Sequence, residues 1–283
     1  MTISQWLSNA AQQLSLANIP SPKLDAELLL CHMLGVDRTW LIAHGDDSLA
    51  MSALSRRGAT RRSGIAAYGE QLLLMRLKRI PIAYITGHKE FYGRDFILSP
   101  DTLVPRPETE SLIELAKKHG CSGMLLDVGT GSGCLGLTLA LELPDSQLTV
   151  SDISSDALEI AKKNAKALGV KPVQFIVSDL LSHWLSHDDP KPFNLIAANL
   201  PYVDRSWTDT SPEIKHEPDI ALYAGDGGLA LIKRLIDEAP RLLVSGGHLL
   251  LEADPNQHDD IIHYASVFNV IDHEGYGLLL QLS

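Results

Sequence analysis

The spacing of apolar residues over the first 80 positions predicts helices. Throughout residues 1–80, apolar side chains recur every three or four positions, which places them on one face of a helix. Ser21 followed by Pro22 is a typical helix start, because serine caps free amide groups and proline fits the first turn. Two further helical stretches are expected, at 37–43 and 51–79. Since no strand pattern interrupts them, we predict a compact helical bundle that forms its own domain.

Residues 81–106 have a different pattern, in which aromatic and β-branched residues alternate with turn residues. Gly93 separates two short runs of this kind, which predicts a β-hairpin linker. A helix is then expected from Thr109 to Lys118, and it should end near Gly120.

In the remainder of the chain, predicted strands and helices alternate. The strands are expected at 123–128, 147–152, 173–177, 193–199 and 246–252, and the helices at 132–143, 155–168, 228–240 and 256–266. Such alternation favours a doubly wound sheet with right-handed crossovers. The last two runs, 268–274 and 277–282, have no helix between them, which predicts an antiparallel hairpin at the edge of a mixed sheet. The sequence therefore predicts an α/β, Rossmann-like domain over 107–283, preceded by a small N-terminal helical domain (1–80) and a linker (81–106).

The composition is that of a folded protein with an acidic surface. Of the 283 residues, 45% are hydrophobic, which is enough to build a sizeable core. A formal net charge of −11 disfavours binding of the whole protein to nucleic acid. Basic residues are nevertheless concentrated in 51–80, where Glu70 is the one acid. This run is either a solvated helix face or a docking patch for an acidic partner or RNA.

The cysteines and the lengths of the apolar runs indicate the compartment. Cys31, Cys121 and Cys134 show no CxxC spacing, so neither a zinc signature nor a disulfide framework is present and no metal is expected. No apolar run reaches about 18 residues, and no leader pattern precedes the first helix. We therefore expect a soluble cytoplasmic protein.

A glycine-rich turn follows the first strand of the α/β domain, in the string LLDVGTGSGCLG (125–136). Such glycines permit a sharp turn and let a nucleoside cofactor approach the backbone. Asp152 ends the next strand, where a carboxylate can bind ribose hydroxyls. Asp179 follows the third strand and can accept a hydrogen bond from an adenine amine, while Leu180 can pack on the ring. The candidate cofactor-binding residues are Asp127, Gly129, Thr130, Gly131, Ser132, Gly133, Asp152, Ile153, Asp179, Leu180 and Asn199.

The glycine pattern alone does not identify the cofactor. The spacing of Gly131, Gly133 and Gly136 also fits the dinucleotide fingerprint GxGxxG, and Asp152 suits either cofactor. A tight strand–helix turn without any ligand would use the same glycines, and Asp179 alone could be a helix cap. The choice of cofactor therefore depends on a second motif.

That second motif is NLPY at 199–202, which follows a later strand at the edge where open α/β sheets bind ligands. Asn199 offers a side-chain carbonyl, and Pro201 favours an extended Leu200 whose backbone carbonyl can point to the same place. Two such acceptors can hold an amino group with its lone pair facing a sulfonium methyl, and Tyr202 can stack on a planar amide or base. Nicotinamide enzymes do not need this string, so we expect S-adenosylmethionine as cofactor, with Asn199, Leu200, Pro201 and Tyr202 as candidate catalytic residues. A plain proline turn at a strand end is the alternative.

Five strings spread along the chain carry a resemblance to one enzyme family. They are GHKEFYG (87–93), LVPRPETE (103–110), LDVGTGSG (126–133), NLPYV (199–203) and HEPDIALYAGDGG (216–228). The PRPETE and EPxxAL strings among them are the specific ones, whereas the glycine motif is shared by most such methyltransferases. With them the chain resembles, over essentially its whole length, the protein-(glutamine-N) methyltransferases that modify peptide chain release factors. The resemblance implies a class I methyltransferase fold, S-adenosylmethionine as donor and the glutamine of a Gly-Gly-Gln loop as acceptor. It also implies that the helical domain holds the release factor. We expect a monomer that associates with no membrane and binds no nucleic acid stably.

One position departs from the family pattern. The family usually has NPPY, and this chain has Leu200 in place of the first proline. NLPY is typical of adenine dimethyltransferases that act on ribosomal RNA, so an adenine-N6 methyltransferase acting on RNA or DNA is the alternative function. A non-catalytic module that only grips a translation factor is a third hypothesis. The strings at 105–110 and 216–228 favour glutamine, and a leucine still supplies the backbone carbonyl.

Overall fold

The computed structural model describes residues 1–50, 62–187, 192–208 and 210–283. The chain divides into two compact units, which are Met1–Gly87 with Ser211–His216, and His88–Thr210 with Glu217–Ser283. The helical unit thus extends past the predicted boundary at residue 80 and includes a short segment from much later in the chain. Of the helical stretch predicted at 51–79, the part before residue 62 lies outside the described residues.

Five α-helices with fully described bounds build the first unit, together with a 3-10 helix at Pro212–His216. The α-helices are α1 (Ile3–Leu16), α2 (Pro22–Leu34), α3 (Arg38–Ala43), α4 (Arg62–Leu77) and α5 (Ile82–Thr86). A capping box starts α1, because the Thr2 hydroxyl accepts from the Gln5 amide and the Gln5 side chain accepts from the Thr2 amide. At the end of α2, Gly35 takes the left-handed conformation usual for a C-cap. The apolar faces meet in one core that contains Ile3, Trp6, Leu14, Leu29, Leu30, Met33 and Leu72.

Ion pairs tie the segment Ser211–His216 into the helical unit. The buried Arg76 guanidinium contacts Asp25 Oδ2 at 2.6 Å and Glu213 Oε1 at 2.9 Å. Arg79 reaches the same Glu213 oxygen at 3.2 Å. The hypothesis that the basic run at 51–80 is a solvated face or a docking patch therefore does not hold for these two arginines, whose charges are used inside the unit.

The second unit confirms the predicted doubly wound mixed sheet. Its strands are β1 (His88–Phe91), β2 (Arg94–Ile97), β3 (Met124–Val128), β4 (Gln147–Asp152), β5 (Val173–Val177), β6 (Phe193–Ala198), β7 (Leu243–Glu252), β8 (Phe268–Glu274) and β9 (Gly277–Leu282). The main sheet has the order β5-β4-β3-β6-β7-β9-β8, in which β3 to β7 are parallel and β9 is antiparallel to both neighbours. Separately, β1 and β2 pair as a hairpin around Gly93, and α5 occupies the start of the predicted linker.

The helices of this unit lie close to their predicted positions. They are α6 (Glu110–Lys118), α7 (Cys134–Glu142), α8 (Ser155–Leu168), α9 (Ser182–Leu185), α10 (Ala230–Glu238) and α11 (His258–Tyr264). The short α9 was not predicted. Strand β7 begins three residues before its predicted start, and the pairing with β6 shifts register between Leu243 and His248, where Gly246 and Gly247 lie. Two glycines within a strand hide its apolar pattern, because they carry no side chain to pack.

The parallel strands place the chemistry-bearing residues along one edge of the sheet. Neighbouring parallel strands all end on the same side, so the ends of β3, β4, β6 and β7 are adjacent. Asp127, Asp152, Asn199 and Glu252 occupy those ends. Beneath them, Leu195, Ile196 and Ala198 on β6 are completely buried, which gives the edge a rigid base.

Candidate active site

The glycine turn after β3 is shaped by a buried aspartate. Asp127 Oδ2 accepts hydrogen bonds from the Gly136 amide at 2.9 Å and from the Thr130 hydroxyl at 2.6 Å. Burial raises the pKa of Asp127 to about 6, against the opposing effect of these two donors. A side chain at Gly136 would bring its Cβ within 2.7 Å of the Asp127 Cβ. Asp127 therefore acts on the shape of the turn.

Three glycines of this turn adopt left-handed backbone conformations. The φ angles are 70° at Gly129, 56° at Gly131 and 84° at Gly133, a region that is costly for residues with a Cβ. A Cβ on Gly131 would meet no atom within 4 Å, so the backbone there faces open space. At Gly133 a Cβ would lie 2.8 Å from the Leu137 side chain, which means that this glycine serves helix packing.

Asn164 on α8 holds the turn from below, although sequence reasoning did not identify it. Its side-chain amide donates to the Ser132 carbonyl at 2.8 Å and to the Ile97 carbonyl at 2.9 Å, and it accepts from the Ile97 amide at 2.7 Å. The side chain is completely buried. A single asparagine in the middle of a helix carries no sequence signal for this role.

Asp152, at the end of β4, faces the glycine turn directly. Its Oδ2 accepts from the Gly131 amide at 2.9 Å and its Oδ1 from the Ser154 amide at 2.9 Å. Burial raises the pKa of this carboxyl group, and the backbone amides around it act in the opposite direction. Each carboxylate oxygen can accept more than one hydrogen bond, so a ligand's hydroxyl groups can still be bound.

A cavity with an empty volume of about 1120 Å³, including its open mouth, brings most of the predicted site residues together. Its lining includes Asp127, Gly129, Thr130, Gly131, Ser132, Asp152, Ile153, Asp179, Leu180, Asn199, Leu200 and Pro201. Two predicted site residues, Gly133 and Tyr202, are not part of the lining. The loop before α6, which carries the PRPETE string, adds a wall that includes Thr102, Leu103, Pro105 and Thr109.

Asp179 is engaged by an arginine that sequence reasoning missed. Arg234 Nη1 lies 2.9 Å from both carboxylate oxygens of Asp179, and Nη2 reaches the Asp179 carbonyl at 3.4 Å. Glu238, one turn further along α10, pairs with Arg234 at 2.8 Å and accepts from the Leu181 amide at 3.2 Å. The loop also contains Leu180 in a left-handed conformation (φ 47°). Helix α10 therefore fixes the loop that closes one end of the cavity.

At the other end of the cavity, Asn199 is tied to the PRPETE loop. The Asn199 Nδ2 atom donates to the Thr109 hydroxyl oxygen at 3.1 Å. Nearby, the Tyr202 hydroxyl donates to Glu252 Oε1 at 3.0 Å. Burial and the adjacent Glu252 raise the pKa of Tyr202 above its usual range. The Leu200 side chain lies under the glycine turn, where a Cβ on Gly129 would come within 3.0 Å of it.

One ion pair joins LVPRPETE (103–110) and HEPDIALYAGDGG (216–228), two of the strings that carry the family resemblance. The buried Glu217 carboxylate, from HEPDIALYAGDGG, binds the Arg106 guanidinium of LVPRPETE. Its second oxygen accepts from the Val104 amide at 3.0 Å. This contact fixes the backbone of the PRPETE loop against the rest of the unit. The sequence contained both strings, but their separation along the chain concealed the pairing.

Two absences complete the description of the site. No group of three metal-ligating side chains occurs in the part of the chain that the structure describes. No helix among the described residues is long and apolar enough to cross a membrane.

Both units match known protein families. The family model described as PrmC N-terminal domain matches residues 5–59, and the one described as Methyltransferase small domain matches residues 107–217. A release factor glutamine methyltransferase of Koribacter versatilis (strain Ellin345) is 40% identical over 265 residues, covering 90% of this chain and 89% of that protein. One from Escherichia coli (strain K12) is 36% identical over 255 residues, covering 89% and 86%.

Solved structures share the fold at much lower identity. A methyltransferase from Pyrococcus furiosus superposes with a TM-score of 0.51 at 17% identity, covering 68% of this chain and 91% of that chain. A 16S rRNA N2 G1207 methyltransferase of T. Thermophilus, in complex with AdoMet and guanosine, gives 0.50 at 18% identity, covering 69% and 49%. At this identity the likeness concerns the fold alone.

Proposed function

Because the chain belongs to the release factor glutamine methyltransferase family, we propose that it transfers a methyl group from S-adenosylmethionine to a glutamine of peptide chain release factors. The acceptor is the side-chain amide nitrogen of the glutamine in the Gly-Gly-Gln loop. The observation that supports this most is the shared cavity, in which Asn199 and Leu200 lie beside the glycine turn and Asp152. A single cavity can therefore hold the donor and the amide side by side.

The residues of the acceptor end act by positioning. An amide nitrogen is a poor nucleophile, since its lone pair is delocalised into the carbonyl. Asn199 Oδ1 and the Leu200 carbonyl accept hydrogen bonds from the NH2 group and fix its lone pair toward the donor. These hydrogen bonds strengthen as positive charge develops on the nitrogen, which stabilises the transition state. We assign no general base.

The residues of the donor end fit S-adenosylmethionine, which supplies an electrophilic methyl group on a sulfonium. Asp152 would hold the ribose hydroxyls, because its oxygens retain free lone pairs beside the glycine turn. The open backbone at Gly131 lets the cofactor approach closely. Asp179 and Leu180 would receive the adenine, with Ile153, which is 52% exposed, as an apolar wall. Asp127 contributes through the turn, with Thr130, Ser132 and Gly133.

The helical unit is the docking surface for the release factor. A single glutamine side chain cannot supply enough binding energy to hold a whole protein, so remote contacts must come from elsewhere. Deleting residues 1–87 should slow methylation of an intact release factor far more than methylation of a short Gly-Gly-Gln peptide. Equal loss on both, with cofactor binding preserved, would mean that the helical unit shapes the active site instead.

Three further statements are part of the proposal. The protein acts as a monomer in the cytoplasm and forms no stable complex with nucleic acid. The net charge of −11 supports the absence of a stable complex with nucleic acid, since a phosphate backbone would be repelled. Three free cysteines suit a reducing compartment. Light scattering tests whether the protein is a monomer, and a salt titration of RNA binding tests whether it forms a stable complex with nucleic acid.

A methylation assay with two substrate pools tests the function. The full chain is incubated with tritiated S-adenosylmethionine and either a release factor or total ribosomal RNA. We expect label on the release factor, and peptide mass spectrometry should locate one added methyl group on the glutamine of the Gly-Gly-Gln loop. A release factor with alanine in place of that glutamine is the matched control. Label on RNA alone would instead support an adenine methyltransferase, and binding without turnover would support a non-catalytic module.

A further inference from the structure

The Leu200 carbonyl belongs to the backbone, so no side-chain rotamer sets the direction in which it points. On one side of Leu200 the backbone is held by the sheet, where Ala198 pairs with Leu251 of β7. On the other side the ring of Pro201 holds φ at about −65°. The direction of the Leu200 carbonyl therefore depends on how the chain is held directly after Pro201, at Tyr202.

We propose that Gln257 and Gly228 are positioning residues for methyl transfer. Gln257 binds the Tyr202 carbonyl and Gly228 leaves room for it, and together they fix the backbone that carries the Leu200 carbonyl. The inference rests on the proposed function, in which the NLPY string holds the acceptor amide.

The Gln257 side chain makes three hydrogen bonds to backbone groups. Gln257 ends a short 3-10 helix after β7 and is buried. Its Nε2 donates to the Tyr202 carbonyl at 3.1 Å and to the Gly227 carbonyl at 2.9 Å. Its Oε1 accepts from the Asp254 amide at 3.1 Å. A backbone carbonyl can only accept and a backbone amide can only donate, so the Gln257 amide has one allowed orientation.

Gly228 is the second half of this clamp, because it provides the space that the Tyr202 carbonyl occupies. Its φ angle is 89°, in the left-handed region. A Cβ at this position would lie 2.0 Å from the Tyr202 oxygen and 2.7 Å from Gln257 Nε2. Both partners of the hydrogen bond would then have to move. A glycine is thus required here by the close approach of the NLPY backbone.

The backbone after Tyr202 is held by the same family string that contains Gly228. The Val203 amide donates to the Leu222 carbonyl at 3.1 Å, and the Val203 carbonyl accepts from the Ala224 amide at 3.2 Å. These contacts do not depend on the Gln257 side chain. Loss of that side chain should therefore displace the acceptor end of the cavity without unfolding the unit.

Three variants test the clamp, with kcat, KM for the release factor and calorimetric affinity for S-adenosylhomocysteine as readouts. Gln257→Met keeps the length of the side chain and removes its donors, and Gly228→Ala fills the space. Both should lower kcat by about 10- to 100-fold, while KM and cofactor affinity change less than about twofold. Gln281→Met is the matched control and should keep wild-type kcat. It also removes a side-chain donor to a backbone carbonyl, that of Gly246 at 3.0 Å, but near the start of β7.

A fourth variant, Gln257→Glu, distinguishes positioning from a general loss of structure through its pH profile. An ionised carboxylate would repel the two carbonyl oxygens, whereas a protonated carboxyl group donates to one of them. Its deficit in kcat relative to the wild type should shrink severalfold between about pH 8.5 and 6, and that of Gln257→Met should stay constant. The titratable groups nearest in sequence, Glu252, Asp254 and His258, are the same in all variants and cancel in this comparison.

The outcomes separate this inference from the proposed function. A wild-type protein that does not methylate the release factor would refute the proposed function, and the positioning role with it. If the wild type is active, unchanged kcat in both Gln257→Met and Gly228→Ala would overturn the inference alone. So would a Gln257→Glu deficit that is independent of pH.

Hydrogen exchange tests the clamp without any substrate. The Val203 amide belongs to the same peptide group as the Tyr202 carbonyl, so it should exchange faster in Gln257→Met than in the wild type or in Gln281→Met. An unchanged exchange rate would show that Gln257 does not hold this peptide group, and would refute the inference whatever the substrate.

Discussion

Glu252→Gln should make the methyltransferase unit more stable at neutral pH. Burial raises the pKa of Glu252 from 4.5 to about 7, with Glu108 adding to the rise and Thr109, Tyr202 and Arg106 opposing it. Folding therefore favours the protonated form. The stabilisation that comes from the protonated carboxyl group is fully present below the pKa of Glu252 in the unfolded chain. It is lost as the pH rises through the pKa of Glu252 in the folded protein.

The size of the effect follows from the two pKa values. The folded and unfolded pKa values of Glu252 differ by about 2.5 units, which corresponds to a loss of roughly 3 kcal/mol in the free energy of unfolding well above pH 7. Most of this loss develops between about pH 5 and 7.5. Glutamine at this position carries no charge at any pH and still accepts from the Tyr202 hydroxyl. The gain in unfolding free energy of the variant over the wild type should grow by about 2 kcal/mol between about pH 5.5 and 7.5.

Hydrogen exchange in β7 measures this gain for one unit of a two-unit chain. Amides of Leu249–Leu251 lie in the buried centre of the sheet, so they exchange when the whole unit opens. The protection ratio of variant to wild type should rise about 20- to 30-fold over that pH interval, because about 1.4 kcal/mol is tenfold. A ratio that stays constant with pH, or a variant that is less protected at pH 7.5, would refute the reasoning.

Three further substitutions have distinct expected outcomes. Asn199→Ala should lower kcat by about 10²–10³ and leave cofactor affinity nearly unchanged in calorimetry, because one aimed acceptor is lost; near-normal turnover would contradict its role. Asp152→Asn should weaken S-adenosylmethionine binding by roughly 10- to 100-fold, since hydrogen bonds to a charged group contribute about 1.5–3 kcal/mol; unchanged affinity would remove it from the ribose site. Gly136→Ala should destabilise the second unit by about 1–3 kcal/mol in urea unfolding, because its Cβ would meet Asp127 at 2.7 Å, and wild-type stability would mean that the turn relaxes easily.

The sequence predicted the sheet well because each strand carries its own signal. Apolar runs such as 193–199 are long enough to show burial on both faces, and the alternation with helices then dictates parallel strands. The rule that ligands bind where parallel strands end placed Asp152 and Asn199 on one edge. These inferences use local patterns and one topological rule, which is why the structure reproduces them.

The contacts that orient the site could not be predicted, because they join residues far apart in the chain. Asn199 and Thr109 are separated by 90 positions, and Tyr202 and Glu252 by 50. Arg76 and Glu213 belong to one unit although most of the second unit lies between them in sequence. A glutamate at the end of an apolar strand has the same sequence context whether it faces solvent or a buried hydroxyl. Such contacts form only when the fold brings the strands together, so no local sequence pattern predicts them.

Three carboxylates of the second unit occupy the ends of parallel strands, and in each case burial raises the pKa. They are Asp127 in β3, Asp152 in β4 and Glu252 in β7. An apolar or amide side chain would be easier to bury at these places. What distinguishes an ionised carboxylate is that it only accepts hydrogen bonds, so every neighbouring amide or hydroxyl must point toward it. A neutral amide could present either end and would permit two arrangements. At Asp127 and Asp152 this is what the structure shows, since the amides of Gly136, Gly131 and Ser154 all point toward the two carboxylates and give the glycine turn one defined geometry.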